Sequence, residues 1–248
     1  MKNMKKTMLF RWGWLMGGLL FATASSAGQG GVSLIPTRVI FAAADKAKSL
    51  KIKNQDQRAY LIQTGSQISP DNPQPAPFIV IPPIFRLEPA SENNLRILLR
   101  EGAKLPSDRE SVFYLSALAV PAASALLPPS DVEAAQLSMG FRFYIKLIYR
   151  PVDLPLTPQD ATCRLRLMQH GKGVQVENPT PYALTLAKLH FDRQSVDLEQ
   201  RPAMIAPFGK QDYPAQRRVA QGHWQVITDN GDISARCQQP ITQHKEAR

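Results

Sequence analysis

The side chains most often used in catalysis are present in the sequence, but they form none of the common catalytic motifs. There is no HExxH pair, no GxSxG segment, no phosphate-binding GxxxxGKS or GxxxxGKT loop and no GxGxxG turn. Asp192 and Asp197 lie close together, as acidic residues of a solvated turn do. The four histidines are scattered: His170, His190, His223 and His244. We therefore expect no enzymatic activity, no metal site and no cofactor.

The first 27 residues have the composition of an export signal. Four basic residues and no acidic residue precede a short apolar run at positions 15–22, and small residues end at Ala27. This run is too short to cross a bilayer as a helix, and no later run approaches about 20 apolar residues. We predict a signal peptide at 1–27 and an exported protein that does not span the membrane.

The predicted export bears on the interpretation of the two cysteines, Cys163 and Cys237. An even number of cysteines in an exported chain favours a disulfide over a metal site, because the compartment is oxidising. Two buried free thiols are the alternative. The formal charge of +10 falls to about +6 once the four basic residues of the predicted signal are removed, and this modest charge indicates a basic surface rather than nucleic-acid binding.

One segment shows a strict period of two. Leu137, Met139, Phe141, Phe143 and Ile145 alternate with Ser138, Gly140, Arg142 and Tyr144, which predicts a strand with one apolar face. Such a strand is most often half-buried, with its apolar face on its own core. The alternative is an apolar face that serves a partner.

The elements around this strand predict an all-β protein. The 21 prolines penalise helix interiors, and short apolar runs alternate with turn residues along the chain. Three prolines within 151–158 interrupt the strand pattern, so we predict a domain at 28–151, a second at 152–240 and a polar tail at 241–248. The spacing of the strands is that of antiparallel sandwiches. Strands are predicted at 32–41, 49–53, 59–65, 78–81, 94–99, 112–120, 137–149, 163–168, 173–177, 183–191, 204–205 and 224–228.

Six segments, in order, resemble the periplasmic pilus chaperones of the chaperone–usher pathway. They are TRVIF at 37–41, PFIVIPPIFRL at 77–87, LPSDRESVFYL at 105–115, IKLIYRP at 145–151, NPTPY at 178–182 and TDNG at 228–231. The resemblance implies two immunoglobulin-like β-sandwich domains set at an angle. It also implies a protein that binds an incomplete pilin subunit by adding a strand to its unfinished sheet.

Specific roles are implied only by position within these segments. Leu137, Met139 and Phe141 would be the donor-strand residues that fill the groove of the pilin. Arg38 and Lys146 would bind the terminal carboxylate of the pilin.

A structural set is implied in the same way. Glu110, Arg150 and Asp229 would form an ion network between the domains, and the Ile81–Pro82 peptide bond would be cis.

The expected function is that of a periplasmic chaperone, without catalysis, that caps pilin subunits and delivers them to an outer-membrane usher. Free molecules could cap one another as a dimer. The alternative is a secreted sandwich module that binds a ligand or glycan and does not act as a chaperone.

Overall fold

The computed structural model describes residues 31–122, 139–215 and 218–243. The predicted signal peptide, donor-strand residue Leu137 and most of the tail lie outside the described residues. In the part that is described, strands dominate and the single helix has four residues. No helix in that part is long and apolar enough to cross a membrane. The predicted all-β class is confirmed.

The first domain is a sandwich of two sheets. One sheet has the order β1-β3-β8-β6, and the other has the order β2-β10-β9-β4-β5, with β7 also pairing β4. Alternate side chains of these strands point inward and form one core that includes Phe41, Ile52, Phe78 and Leu95. The strands are β1 (Val32–Ile35), β2 (Arg38–Ala42), β3 (Lys48–Asn54), β4 (Tyr60–Ser69), β5 (Asn72–Pro75), β6 (Phe78–Ile81), β7 (Ile84–Leu87), β8 (Glu92–Leu99), β9 (Ser111–Pro121) and β10 (Phe141–Arg150).

Prolines mark two places where the chain crosses from one sheet to the other. The predicted single strand at 32–41 is wrong, because β1 and β2 belong to different sheets and separate at Pro36. β6 and β7 separate in the same way at Pro82 and Pro83. Proline has no N–H to continue a ladder, so pairing changes there. The Ile35–Pro36 and Ile81–Pro82 bonds are cis, and the second is the bond for which the resemblance implied this geometry.

The predicted strand at 137–149 is shorter in its described part. β10 begins at Phe141, which pairs with Ala119 of β9, while Met139 and Gly140 precede the strand. β10 runs antiparallel to β9 along most of its length and parallel to β2 only from Lys146 onward. This difference between its two edges positions the site described below.

The second domain has its own core, centred on Trp224, Phe191 and Tyr213. Its two sheets have the orders β16-β12-β11-β19 and β14-β13-β17-β18, with β15 pairing β13. Two separate cores and four sheets agree with the predicted pair of immunoglobulin-like sandwiches. The strands are β11 (Arg166–His170), β12 (Gly173–Glu177), β13 (Leu184–Phe191), β14 (Gln194–Ser195), β15 (Met204–Ile205), β16 (Lys210–Pro214), β17 (Gln221–Val226), β18 (Cys237–Pro240) and β19 (Thr242–Gln243).

The start of the second domain departs from the predicted strand at 163–168. A short helix, α1 (Pro158–Ala161), comes first, and β11 begins only at Arg166. Thr157 caps the helix by accepting the N–H of Asp160, and proline suits the first helical position because its N–H would be unpaired there. Cys163 and Cys237 form a disulfide that joins this region to the start of β18. The predicted disulfide is therefore confirmed.

Candidate functional site

Two of the predicted site residues lie side by side where the domains meet. Arg38 begins β2, Lys146 lies within β10, and the two are direct partners in the parallel ladder. Both side chains reach the second domain. Lys146 Nζ donates to Thr185 Oγ1 at 2.7 Å, and Arg38 Nη1 donates to the carbonyl of Ile227 at 3.1 Å. The structure thus brings together two cations that are far apart in sequence.

The surroundings of these cations are poor in compensating charge. Arg38 is 7% exposed, and its buried Nε has no hydrogen-bond partner. Neither Arg38 nor Lys146 takes part in a salt bridge with another described residue. A buried polar group without a partner is costly, so an anion placed here would relieve that cost.

The pKa of Lys146 reports the same deficit of negative charge. Burial, together with the positive charge of Arg38, lowers this pKa to about 8. Burial also lowers the pKa of Arg38, although Asp229 and Glu110 act in the opposite direction. A carboxylate beside both groups would raise both pKa values.

A cleft of about 200 Å³ opens between the domains next to Arg38. Its walls come from both domains and include Ile148 of β10, Leu184 of β13 and Ile227. The cleft therefore gives an anion access to the guanidinium group. It also extends past Arg150 and Asp229, so the cation pair and the ion network are neighbours.

The predicted ion network is present as a set of contacts between the domains. Arg150 Nε donates to Glu110 Oε1 at 2.7 Å, and its two terminal nitrogens donate to Asp229 at 2.7 and 2.8 Å. Glu110 Oε2 accepts the N–H of Ala183 at 2.8 Å. Since Glu110 and Arg150 belong to the first domain and the other two to the second, the contacts cross the junction.

Burial distinguishes the two carboxylates of this network. Glu110 is 4% exposed, and burial raises its pKa although Arg150 opposes the shift. The side chain of Asp229 is 37% exposed. Burial alone would lower the pKa of Arg150. The hydrogen bonds and negative charges of Asp229 and Glu110 outweigh this effect and raise the pKa of Arg150 overall. Arg150 consequently stays protonated and is the centre of the network.

The apolar face that alternates along residues 137–145, called the apolar stripe below, divides into two parts within its described residues. Met139 and Phe141 are 62% and 55% exposed, whereas Phe143 and Ile145 pack against the core of the first domain. The interpretation of an apolar face on the protein's own core is confirmed for Phe143 and Ile145, whereas an apolar face that serves a partner stays a prediction for Met139 and Phe141. The core-facing part holds β10 in its own domain, and the exposed part is free to contact a partner.

The exposed part also has an open edge. Residues 141–145 pair with β9 on one side, but β2 begins beside Lys146, so within the described ranges no strand occupies the other side of 141–145. An open edge with exposed apolar residues is a template for pairing with another chain. This edge leads directly to Arg38 and Lys146.

Sequence reasoning missed the contacts that the second domain makes with the site. Thr185 and Ile227 hold the two cations, and the ring of Tyr182 lies under the Arg150 guanidinium at 5.2 Å. Arg109 lies 4.8 Å from the ring of Phe208. Tyr182 belongs to a segment that carries the resemblance, but Thr185, Ile227 and Phe208 are ordinary strand and turn residues. Nothing in their sequence context distinguishes them.

Fold and site together define a two-domain immunoglobulin-like protein with an open edge strand that ends at paired cations. A family model for the pili and flagellar-assembly chaperone PapD N-terminal domain matches residues 31–155. The model for the pili assembly chaperone PapD C-terminal domain matches residues 160–238.

Individual proteins agree with these matches. The probable fimbrial chaperone ElfD of Escherichia coli K12 is 35% identical over 213 residues, covering 85% of this chain and 87% of ElfD. The chaperone HifB of Haemophilus influenzae is 33% identical over 239 residues, covering 92% and 93% of the two chains. A solved structure of the Salmonella enterica SafA pilin in complex with the SafB chaperone matches with a TM-score of 0.73, 31% identity and coverage of 86% and 97%. This chain belongs to the family of chaperones that assemble pili through the chaperone–usher pathway.

The network yields a first prediction about stability. Arg150→Ala leaves Glu110 buried without its cation, so we expect the free energy of unfolding to fall by about 3–5 kcal/mol. Asp229→Asn should lower the free energy of unfolding by no more than about 1 kcal/mol, because Asp229 is partly exposed and the ion pair between Arg150 and Glu110 is retained. Urea unfolding at pH 7 measures both changes. Equal losses in the two variants would contradict the assigned difference in burial.

Proposed function

We propose that this chaperone acts in the periplasm, binds an incomplete pilin subunit along the open edge of β10 and passes it to an outer-membrane usher. The observation that carries the proposal is that this edge ends at Arg38 and Lys146, which have unmet capacity to bind an anion. The similarity to a structure in which a related chaperone is in complex with a pilin supports it.

The geometry of β10 favours one direction for the added strand. A strand placed beside residues 141–145 would continue the line of β2, which runs parallel to β10. If the added strand is also parallel, its C-terminal end arrives at Arg38 and Lys146 and its terminal carboxylate meets two cations. An antiparallel strand would place its N-terminal end beside Arg38 and Lys146, and these cations would then receive no carboxylate. We therefore propose parallel addition, with the pilin carboxylate bound at this pair.

The cations would also determine the register of the added strand. A shift by one residue would turn every side chain of the strand to the opposite face. A charge-assisted hydrogen bond contributes about 1.5–3 kcal/mol, enough to favour one register over its neighbours. Met139 and Phe141, with Leu137 before them, would then fill the groove of the pilin. Each fully buried side chain contributes roughly 1.5–3 kcal/mol before the ordering cost of association.

The remaining predicted features support this function. We propose that Glu110, Arg150 and Asp229 hold the two domains at one angle, so that Thr185 and Ile227 stay beside the cations. We further propose domain limits of 28–151 and 152–240, and removal of residues 1–27 on export. A dimer of free molecules, in which each covers the other's open edge, belongs to the same proposal.

The alternative of a secreted ligand- or glycan-binding module is not favoured. The relatives matched along most of this chain are fimbrial chaperones, and the family is not enzymatic.

A second prediction tests the cation pair. Arg38→Ala and Lys146→Ala should each give a folded protein that no longer recovers pilin from the periplasm, because the carboxylate loses half of its binding site. Co-purification of subunits with the chaperone measures recovery, and circular dichroism checks folding. Arg96→Ala removes an exposed cation from β8 and is the matched control, with recovery expected to be unchanged. Normal recovery by both cleft variants would contradict the site.

A third prediction follows from the pKa of Lys146. In the chaperone without pilin, the side chain of Lys146 is mostly protonated below pH 8. Above pH 8 it is mostly neutral and must take up a proton before it binds a carboxylate. Affinity for a pilin C-terminal peptide should therefore be about tenfold weaker at pH 9 than at pH 7. Fluorescence anisotropy measures it.

Two controls belong to the pH experiment. Lys146→Arg should remove the dependence between pH 7 and 9, because arginine stays protonated throughout this range. An amidated peptide should bind weakly at both values. If the wild-type affinity is the same at pH 7 and 9, Lys146 does not bind the carboxylate.

A fourth prediction separates the two parts of the stripe. Phe141→Asp should fold normally, since Phe141 is exposed, and should fail to bind pilin if its ring fills the groove of the subunit. Phe143→Asp should destabilise the first domain, because this ring packs against the core. Thermal unfolding and subunit co-purification measure the two effects. Unfolding of Phe141→Asp would show that Phe141 belongs to the core.

A further inference from the structure

Two histidines stand side by side on the outer face of the second domain. His190 of β13 and His223 of β17 are direct partners in an antiparallel pair. Their neighbours Phe191 and Trp224 are buried in the core, so both imidazoles point outward on the same face. Directly opposed residues have their Cβ atoms about 4.5–5.5 Å apart, which allows both rings to reach one ion.

The space around the two rings is a defined concavity. His190 and His223 line a pocket of about 230 Å³ together with Asp192, Lys188 and Arg236. The Nδ1 atom of His223 is buried and has no hydrogen-bond partner. An unpaired polar atom at such a place needs a ligand or a water molecule to satisfy it.

The charges around the pocket act in both directions. Asp192 lies in the turn that follows β13, two residues after His190, and its carboxylate accepts hydrogen bonds from the N–H groups of Ala220 and Gln221 at 2.8–3.2 Å. This fixed negative charge favours a cation. Lys188 and Arg236 oppose a cation, but both are exposed and can turn toward solvent.

We propose that His190 and His223 form a binding site for one first-row divalent metal ion, of which Zn²⁺ and Cu²⁺ suit imidazole nitrogen best. No group of three or more potential ligands is gathered among the described residues, so water completes the coordination and the site is open. Sequence reasoning predicted no metal because the two histidines lie on different strands and show no motif spacing. The site is separate from the open edge of β10, and it bridges β13 and β17.

The test uses the untagged, full mature chain and ZnCl₂ in a buffer that does not chelate. Calorimetry should show one Zn²⁺ per chain, and His190→Gln or His223→Gln should each weaken binding at least tenfold. Competition should show tighter binding of Cu²⁺ than of Zn²⁺. His170→Gln and His244→Gln are matched controls from elsewhere in the chain and should bind as the wild type does. Arg236→Gln should tighten binding severalfold, because it removes an opposing charge.

A second measurement needs no variant. Addition of Zn²⁺ to the wild-type chain should shift or broaden the imidazole NMR signals of His190 and His223 and leave those of His170 unchanged. The proposal is overturned if the wild type binds no Zn²⁺. It is also overturned if the affinity survives both substitutions, falls in a control variant or fails to rise in Arg236→Gln.

Discussion

The candidate site depends on two cations that the structure holds side by side at the domain junction. Arg38 and Lys146 are neighbours in the ladder, and each uses one donor to contact the second domain. Neither receives a carboxylate from a described residue of the chain. Such an arrangement is unfavourable in the free protein, and burial lowers the pKa of both groups. In the proposed function, the carboxylate of a partner would supply the missing negative charge and offset this cost.

The two-domain architecture supports this arrangement. β2 and β10 bring the cations together, but the acceptors that orient them, Thr185 and the carbonyl of Ile227, lie in the other domain. The position of one domain relative to the other therefore controls the chemistry of the site. Glu110 and Arg150 connect the domains through Ala183 and Asp229, and the burial of Glu110 makes this connection more than a surface ion pair. The network and the cleft act as one unit.

The two halves of β10 have different surroundings. Its second half lies between β9 and β2 and contributes Leu147 and Ile148 to the interior. Its first half has β9 on one side only and exposes Phe141. The inner half supplies a rigid base, so the outer half can present unpaired backbone groups and apolar side chains without losing its conformation. Donation of a strand to another protein requires such a base, because a strand without one would be disordered or would aggregate.

Much of the fold could be predicted from local patterns. Alternation of apolar residues located most strands of both sandwiches, and proline content excluded a helical protein, because both signals arise from short-range backbone geometry. Short edge strands such as β5, β14 and β19 were missed, since they bury little and so carry little pattern. The helix α1 was missed because it is only one turn long.

For the site, the order of the amino acids was enough to show which residues carry charge and apolar surface, and the resemblance assigned roles to Arg38, Lys146 and Phe141. The folded chain was needed to show that the apolar stripe divides at Phe143, that Thr185 contacts Lys146 and that His190 pairs with His223. These two kinds of information differ in the range of the interactions that they report. Periodicity reports how a residue relates to its neighbours along the chain, whereas burial and contact between distant strands depend on how the sheets pair and pack.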